Sequence, residues 1–480
     1  MDVGRVPSPT STNHSVKVHH RRLFLFSSAT LAWVGAFAAE PTPVAPSDAE
    51  TVNRFFVEAL AHGQAYDELR DLTASCPGRL AGSKSLERAV EWGRDTLNRM
   101  GLDRVYTQDV TVVHWERGAP ESVRLISKQD KKPLAAVALG ASAATPKGGL
   151  TAEVIEVNSL DALTELGREQ VAGKIVFFNR PMNPAFSRTM DAYAEAGDQR
   201  NRGPGVAAKY GAVAALTRSL TLAHDDVPHT GNTAFPLEVS PIPAAALGVL
   251  SAERLSAALA NDPHTKVSIQ IHAQTLPPAP SFNVIGEIRG SEFPEQIIVV
   301  GGHLDSWDIT PGAHDDGAGI VQSIEVLRLF QALGIKPRHT IRCVLFTNEE
   351  NGLAGGTRYG EAAKAEGHHI FAVETDNGGF APSGFNLGST QGNAHERAAR
   401  WSPLFEPWGV WHFVKGGGGA DVGPLLLQGV TVAGLTPDSQ RYFDYHHTTI
   451  DTIDKVNPRE LHLGAAAMAA LIWLVDTQGI

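Results

Sequence analysis

From Phe282 to the C-terminus the chain alternates short apolar runs with amphipathic ones, and this alternation restricts the fold more than any other feature of the sequence. Gln296 to Val300, Thr340 to Phe346, His369 to Glu374 and Val430 to Leu435 read as strands. Gly317 to Leu333 and Gly355 to Ala365 read as helices, and Pro458 at a first-turn position opens a terminal helix through Val475. Buried strands alternating with helices predict a doubly wound α/β sheet. Upstream, Ser47 with Glu50 opens a helix through Phe55, Phe56 and Leu60, and Ser85 to Met100 forms another, stopped at Gly101. Val105 to Trp115 alternates as a strand. Between about residues 120 and 276 the runs are short: Thr151 to Val157, Lys174 to Phe178, Ala212 to Leu216 and Lys266 to His272 are strand-like, and Leu160 to Val171 and Ser251 to Ala260 are helical. The expected organisation is therefore one α/β domain built from residues 47–119 and 280–480, with a second α/β module inserted over 120–276. The prolines 277, 278 and 280 are read as the return joint.

At 480 residues and 42% hydrophobic content the chain is long enough for two or three domains. A net charge of -11, with no basic run beyond the N-terminus, argues against a nucleic-acid track. Two cysteines, Cys76 and Cys343, exclude a disulfide scaffold and a thiolate zinc finger, and Cys343 stands in an apolar run that favours a buried free thiol. Residues 1–38 have the make-up of a signal peptide: Lys17, Arg21 and Arg22 precede the apolar run Leu23 to Ala38, which ends on Ala36-Phe37-Ala38. Arg21-Arg22-Leu23-Phe24-Leu25 has the form of a twin-arginine signal, so export to the periplasm or medium is expected, with no membrane span retained after cleavage.

In open α/β sheets ligands gather beyond the carboxyl ends of the strands, and here those ends are loaded with charge. Gly302-His303-Leu304-Asp305 follows the first strand, Asn348-Glu349-Glu350 the second and Thr375-Asp376 the third. Asp315 and Asp316 precede a helix, and His446-His447 precede the last one. Each group alone is ordinary, as a helix cap, a solvated acidic pair or a loop histidine. Together, imidazoles and carboxylates converging on one sheet edge repel unless a cation joins them, and mixed N and O donors suit zinc, cobalt or manganese better than calcium.

Gly302-His303-Leu304-Asp305-Ser306-Trp307-Asp308, Gly312-Ala313-His314-Asp315-Asp316-Gly317, Glu349-Glu350-Asn351-Gly352, Glu374-Thr375-Asp376 and His446-His447-Thr448-Thr449-Ile450-Asp451-Thr452 resemble, in order and spacing, the co-catalytic di-zinc aminopeptidases, in the branch of plasma glutamate carboxypeptidase (carboxypeptidase Q). Gly78-Arg79-Leu80-Ala81-Gly82-Ser83 is a weaker echo. The resemblance implies two Zn²⁺ per chain, with His303 and Asp376 on one ion, Glu350 and His447 on the other and Asp315 between them. It implies Glu349 as general base, Asp305 as acceptor of a hydrogen bond from the His303 imidazole, and either His446 or Tyr445 as oxyanion donor. It further implies a protease-associated character for the insert, a short peptide as substrate, a metal-bridging hydroxide as attacking group, and a homodimer.

The direction of attack is open at this stage. Surplus carboxylate at Glu349, Asp308, Asp316, Glu374 and Asp421 favours anchoring a free amine, as in an aminopeptidase or dipeptidase. The basic candidates for holding a free carboxylate, as in a carboxypeptidase, are Arg358, Lys415 and Arg441. A single-zinc acyltransferase of the glutaminyl cyclase type and an inactive binding ectodomain are the competing classes. Trp307, Trp401, Trp408 and Trp411 are read as core or cleft, and Lys415 with Gly416 to Gly419 as a pocket edge.

Overall fold

The computed structural model describes residues 46–127, 131–366 and 368–480; the expected signal peptide over 1–38 lies outside them. Sixteen strands are described: β1 (Arg104–Glu116), β2 (Ser122–Ile126), β3 (Pro133–Leu134), β4 (Ala136–Ala138), β5 (Leu150–Val157), β6 (Ile175–Phe178), β7 (Ala214–Arg218), β8 (Ala244–Leu247), β9 (Lys266–Gln270), β10 (Gln274–Ile288), β11 (Phe293–His303), β12 (His339–Phe346), β13 (His369–Glu374), β14 (Pro382–Gly388), β15 (His412–Lys415) and β16 (Thr431–Pro437). They form two mixed sheets of eight, ordered β1-β10-β12-β11-β13-β16-β14-β15 and β3-β2-β9-β5-β6-β7-β8-β4. Every strand of the second sheet comes from the segment between β1 and β10, and both sheets belong to one compact unit.

The centre of the first sheet is parallel: β12, β11, β13 and β16 run the same way, and antiparallel strands flank them. Alternation along β11 decides which layer each side chain enters. Ile298 and Val300 point into a cluster with the helices Pro46–His62, Ala318–Ala332 and Pro458–Gln478. Ile297 and Val299 point to the opposite layer with Tyr359 and Ala363 of helix Ala354–Glu366. A strand covered on both faces must be apolar throughout, which is why these runs were continuous in the sequence. Helix Pro458–Gln478 is long and apolar enough to cross a membrane, yet 78% of its apolar window is buried inside the protein, where it packs on helix Ala318–Ala332 as a core helix. Asn457 caps its start, its side chain accepting from the backbone N–H groups of Arg459 and Glu460.

The prolines 277, 278 and 280 are not a joint. They lie inside β10, in the half that pairs with β1 alone, since β12 meets only Val284 to Ile288. One edge of β10 is free there, so the missing N–H groups break no ladder. Cys76 and Cys343 are both buried and unpaired.

Candidate metal centre

The parallel register brings the strand ends level, with Val300 opposite both Cys343 and Val373 and His303 opposite Phe346. His303, Glu349, Glu350 and Asp376 therefore emerge side by side, and the turn Ala313–Gly317 places Asp315 beneath them. Asp315 Oδ1 lies 3.4 Å from His303 Nε2, and Asp315 Oδ2 lies 3.2 Å from His447 Nε2. Asp376 Oδ1 is 3.5 Å from His303 Nε2, and Glu350 Oε2 is 3.1 Å from His447 Nε2. One carboxylate thus serves two imidazoles, each of which has a second carboxylate of its own. His446 joins the second group, its Nε2 3.7 Å from Asp315 Oδ2 and its ring stacked on His447 at 3.5 Å.

His303 Nε2, Asp315 Oδ2 and Glu350 Oε1 are buried and have no hydrogen-bond partner. Orphaned donors of this kind, imidazole and carboxylate without thiolate, fit divalent cations of the zinc type. Burial opposes the charge on Asp315, but the two imidazoles overcome it and hold its carboxyl well below the usual range. His447, despite burial, is raised to about 10 by Glu350 and Asp315. Glu349, which lines the adjoining cavity, is pushed well above the usual carboxyl range by burial and by the neighbouring acids, although His303 works against the shift.

The supports of this cluster differ in part from expectation. His303 Nδ1 donates to the backbone carbonyl of Asp305 at 3.1 Å, while the Asp305 carboxylate stands 3.8 Å from that nitrogen. The Asp305 carboxylate instead accepts the backbone N–H groups of Glu349 and Glu350, at 3.0 and 3.3 Å. It therefore fixes the turn that carries both glutamates rather than the imidazole. Asp451 accepts the backbone N–H groups of His314 and Asp315, which accounts for the aspartate in the final sequence motif. Arg79 is fully buried and donates to the carbonyls of Leu304, Pro311 and Gly312, so the Gly78 to Ser83 echo is the clamp on the loop leading to Asp315.

The segment between β1 and β10 contributes directly. Thr230 N–H donates to His447 O at 3.0 Å, and His447 Nδ1 donates to Thr230 O at 3.2 Å. A neighbouring His229 donates from Nδ1 to His446 O at 2.7 Å. These partners were not legible in the sequence, because backbone carbonyls carry no residue signature.

A cavity of about 490 Å³ opens on the cluster, lined from the loops at the strand ends of the first sheet by Asp315, Glu349, Glu350, Asp376, His446 and His447, and from the segment between β1 and β10 by Met190, Tyr193, Arg200 and Asn232 among others. Most of the surplus carboxylates do not reach it. Asp308 is held by Arg117 in a two-pronged pair at 2.6 and 2.8 Å, and Asp316 accepts the N–H groups of His303 and Gly319. Glu374 accepts Val422 N–H and is covered by the glycine loop, where an added Cβ on Gly419 would meet its carboxylate carbon at 2.2 Å. Asp421 is buried beside it. Arg358, Lys415 and Arg441 also fail to line the cavity, and Arg358 and Arg441 pair at the surface with Glu361 and Asp444. Trp307 and Trp401 are core, Trp408 stacks on Phe56, and Trp411 is half exposed away from the cavity. Tyr445 does not reach the cavity either; its ring stacks on His314.

The profile of Peptidase family M28 matches residues 283–472. Carboxypeptidase Q of Bos taurus is 36% identical over 428 residues, which cover 89% of this chain and 88% of that one. The crystal structure of a Peptidase M28 precursor from Shewanella amazonensis SB2B superposes with a TM-score of 0.86 at 34% identity, covering 90% of this chain and 98% of that chain. A zinc aminopeptidase from Bacillus subtilis shares the fold, with a TM-score of 0.63 at 19% identity over 86% of this chain and 95% of that one.

Proposed function

Because the chain belongs to peptidase family M28, in its carboxypeptidase Q-like branch, and is by that membership a metallo-exopeptidase, we propose that it hydrolyses dipeptides or short unblocked peptides using two zinc ions. His303 and Asp376 would hold one ion, Glu350 and His447 the other, and Asp315 both. Ions held there would supply an acidified water and Lewis-acid polarisation of the scissile carbonyl. The observation that carries this reading is the placing of the two Asp315 oxygens, 3.4 and 3.2 Å from two different imidazoles. A single-ion acyltransferase would need only one such group, and an inactive binding ectodomain would need neither.

The remaining chemistry falls to the chain's own side chains. Glu349 faces the cavity, so it takes the proton of the attacking water and delivers it to the departing amine. Asp305 keeps Glu349 in place through the turn's N–H groups. His446 reaches the cavity where Tyr445 does not, and it is the candidate donor to the developing oxyanion. Burial and the charge of His447 hold the His446 imidazole well below its usual pKa, so it is neutral and carries one N–H. Replacing Glu349 by Gln removes the base but no ligand. Turnover of a dipeptide should fall by at least ~100-fold with zinc content unchanged. Activity within a few fold of the parent enzyme would refute the assignment.

Export is part of the proposal and rests on residues 1–38. Arg21→Lys together with Arg22→Lys should leave uncleaved precursor in the cytoplasm of the native host. Undiminished export of the double variant would exclude the twin-arginine route.

A further inference from the structure

The cavity beside the ligand cluster contains one guanidinium that no carboxylate neutralises. Arg200, in the short helix Asp198–Asn201, is 5% exposed and lines the cavity with Glu349, Asp376 and His447. Its Nε donates to Asn201 Oδ1 and its Nη1 to Thr230 O, both at 3.2 Å, and its Nη2 donates to the Tyr193 hydroxyl. A guanidinium has five N–H donors, so these three acceptors leave part of the fork unused. Among the described residues no ion pair includes Arg200. The backbone makes room for the group: at Gly231, with φ of 143°, an added Cβ would lie 2.5 Å from Arg200 Cζ. Keeping a buried cation without a counter-charge is costly unless an anion enters to meet it.

We propose that Arg200, a residue outside the sheet that carries the candidate ligands, is the group that receives the free α-carboxylate of the substrate. The proposal rests on the peptidase reading and deepens it. Arg200 Nη1 lies 3.4 Å from His447 Nδ1, and the other nitrogen of that ring faces Asp315 and Glu350. The guanidinium is therefore one imidazole ring away from the ligand cluster. In a dipeptide the carboxylate carbon is three bonds beyond the scissile carbonyl carbon, and each further residue adds three more. A cation this close selects the shortest leaving group, a single free amino acid, and a planar fork matches a carboxylate in two-pronged geometry. Glu349 and Asp376 line the same cavity and suit the α-ammonium at the other end. Arg200 takes the part expected of Arg358, Lys415 or Arg441, and it comes from the insert rather than from the sheet that carries the metal ligands.

The test compares alanyl-leucine with alanyl-leucinamide on the zinc-loaded enzyme. The parent enzyme should favour the free acid in kcat/KM by roughly 10- to 100-fold, the range of a hydrogen-bonded charge pair. In Arg200→Met the ratio should collapse toward one, with the loss for the acid carried mainly by KM. Arg200→Lys, which keeps the charge without the fork, should fall between. Zinc content of each variant shows whether bracing of His447 survives, and if Arg200→Met loses zinc the ratio in Arg200→Lys decides. A parent enzyme indifferent to amidation, or a preference retained without the guanidinium, overturns the proposal. Calorimetric titration of Glu349→Gln, alone and with Arg200→Met, separates this failure from that of the peptidase reading. Binding of alanyl-leucine that weakens without Arg200, when neither compound is cleaved by the parent, refutes hydrolysis but supports the carboxylate site. Binding unaffected by Arg200 refutes the site.

Discussion

A histidine sealed from water and surrounded by other positive groups has to stay neutral, and His229 is in that position. Burial, followed by the charges of His447 and Arg200, lowers it to about 3, and its Nδ1–H is committed to His446 O. In the unfolded chain the same imidazole takes a proton near its ordinary value of 6.5. The unfolded state therefore binds more protons between about pH 6.5 and 3, so the contribution of His229 is present above 6.5 and is lost as pH falls through that window. His229→Gln should lower Tm near pH 8, where it forfeits the bond to His446, yet shrink the acid-induced loss of stability by on the order of 1–3 kcal/mol. Thermal melts of both proteins from pH 8 to 4 check this; parallel curves would contradict it. His229 was not singled out in the sequence, and neither was Arg200. His303, Asp315, Glu349, Glu350, Asp376 and His447 could be read because each follows or precedes a strongly patterned element. His229 and Arg200 sit in a loop and a short helix between β1 and β10, where no periodicity marks the position and the partner is a backbone carbonyl, for His229 one more than two hundred residues away.

At the scale of elements, legibility followed burial on two faces. β11, β12 and β13 were found within a few residues because a strand covered on both sides must be uniformly apolar, and helix Pro458–Gln478 was found from its proline start. β14 and β15 were missed. β14 is Pro-Ser-Gly-Phe-Asn-Leu-Gly, with only Phe385 and Leu387 turned into the core, and β15 is a four-residue edge strand with exposed His412 and Lys415. β8 is Ala-Ala-Ala-Leu, and alanine has little strand preference, so packing rather than propensity makes it a strand. The helices Thr189–Ala196 and Gly203–Lys209 were also missed, the latter beginning Gly-Pro-Gly. The first of them carries Tyr193, whose hydroxyl accepts from Arg200, so elements that were hard to read supply part of the cavity wall.

The whole molecule works by setting two sheets against one cavity. The first sheet offers the strand ends where the candidate metal ligands converge, and the segment between β1 and β10 meets them through Arg117 with Asp308, Thr230 with His447 and His229 with His446. Such an arrangement makes the segment between β1 and β10 one wall of the cavity. Of the surplus carboxylates counted in the sequence, folding spends Asp308, Asp316 and Glu374 on structural contacts, and Glu349 remains on the cavity. The proposed reaction requires Asp315 to hold two metal ions. The direct measurement is zinc per chain in the purified protein and in Asp315→Ala: about two ions in the parent and a loss of both in the variant are predicted, whereas a parent chain holding one ion or none, or a variant that still holds two, would contradict it.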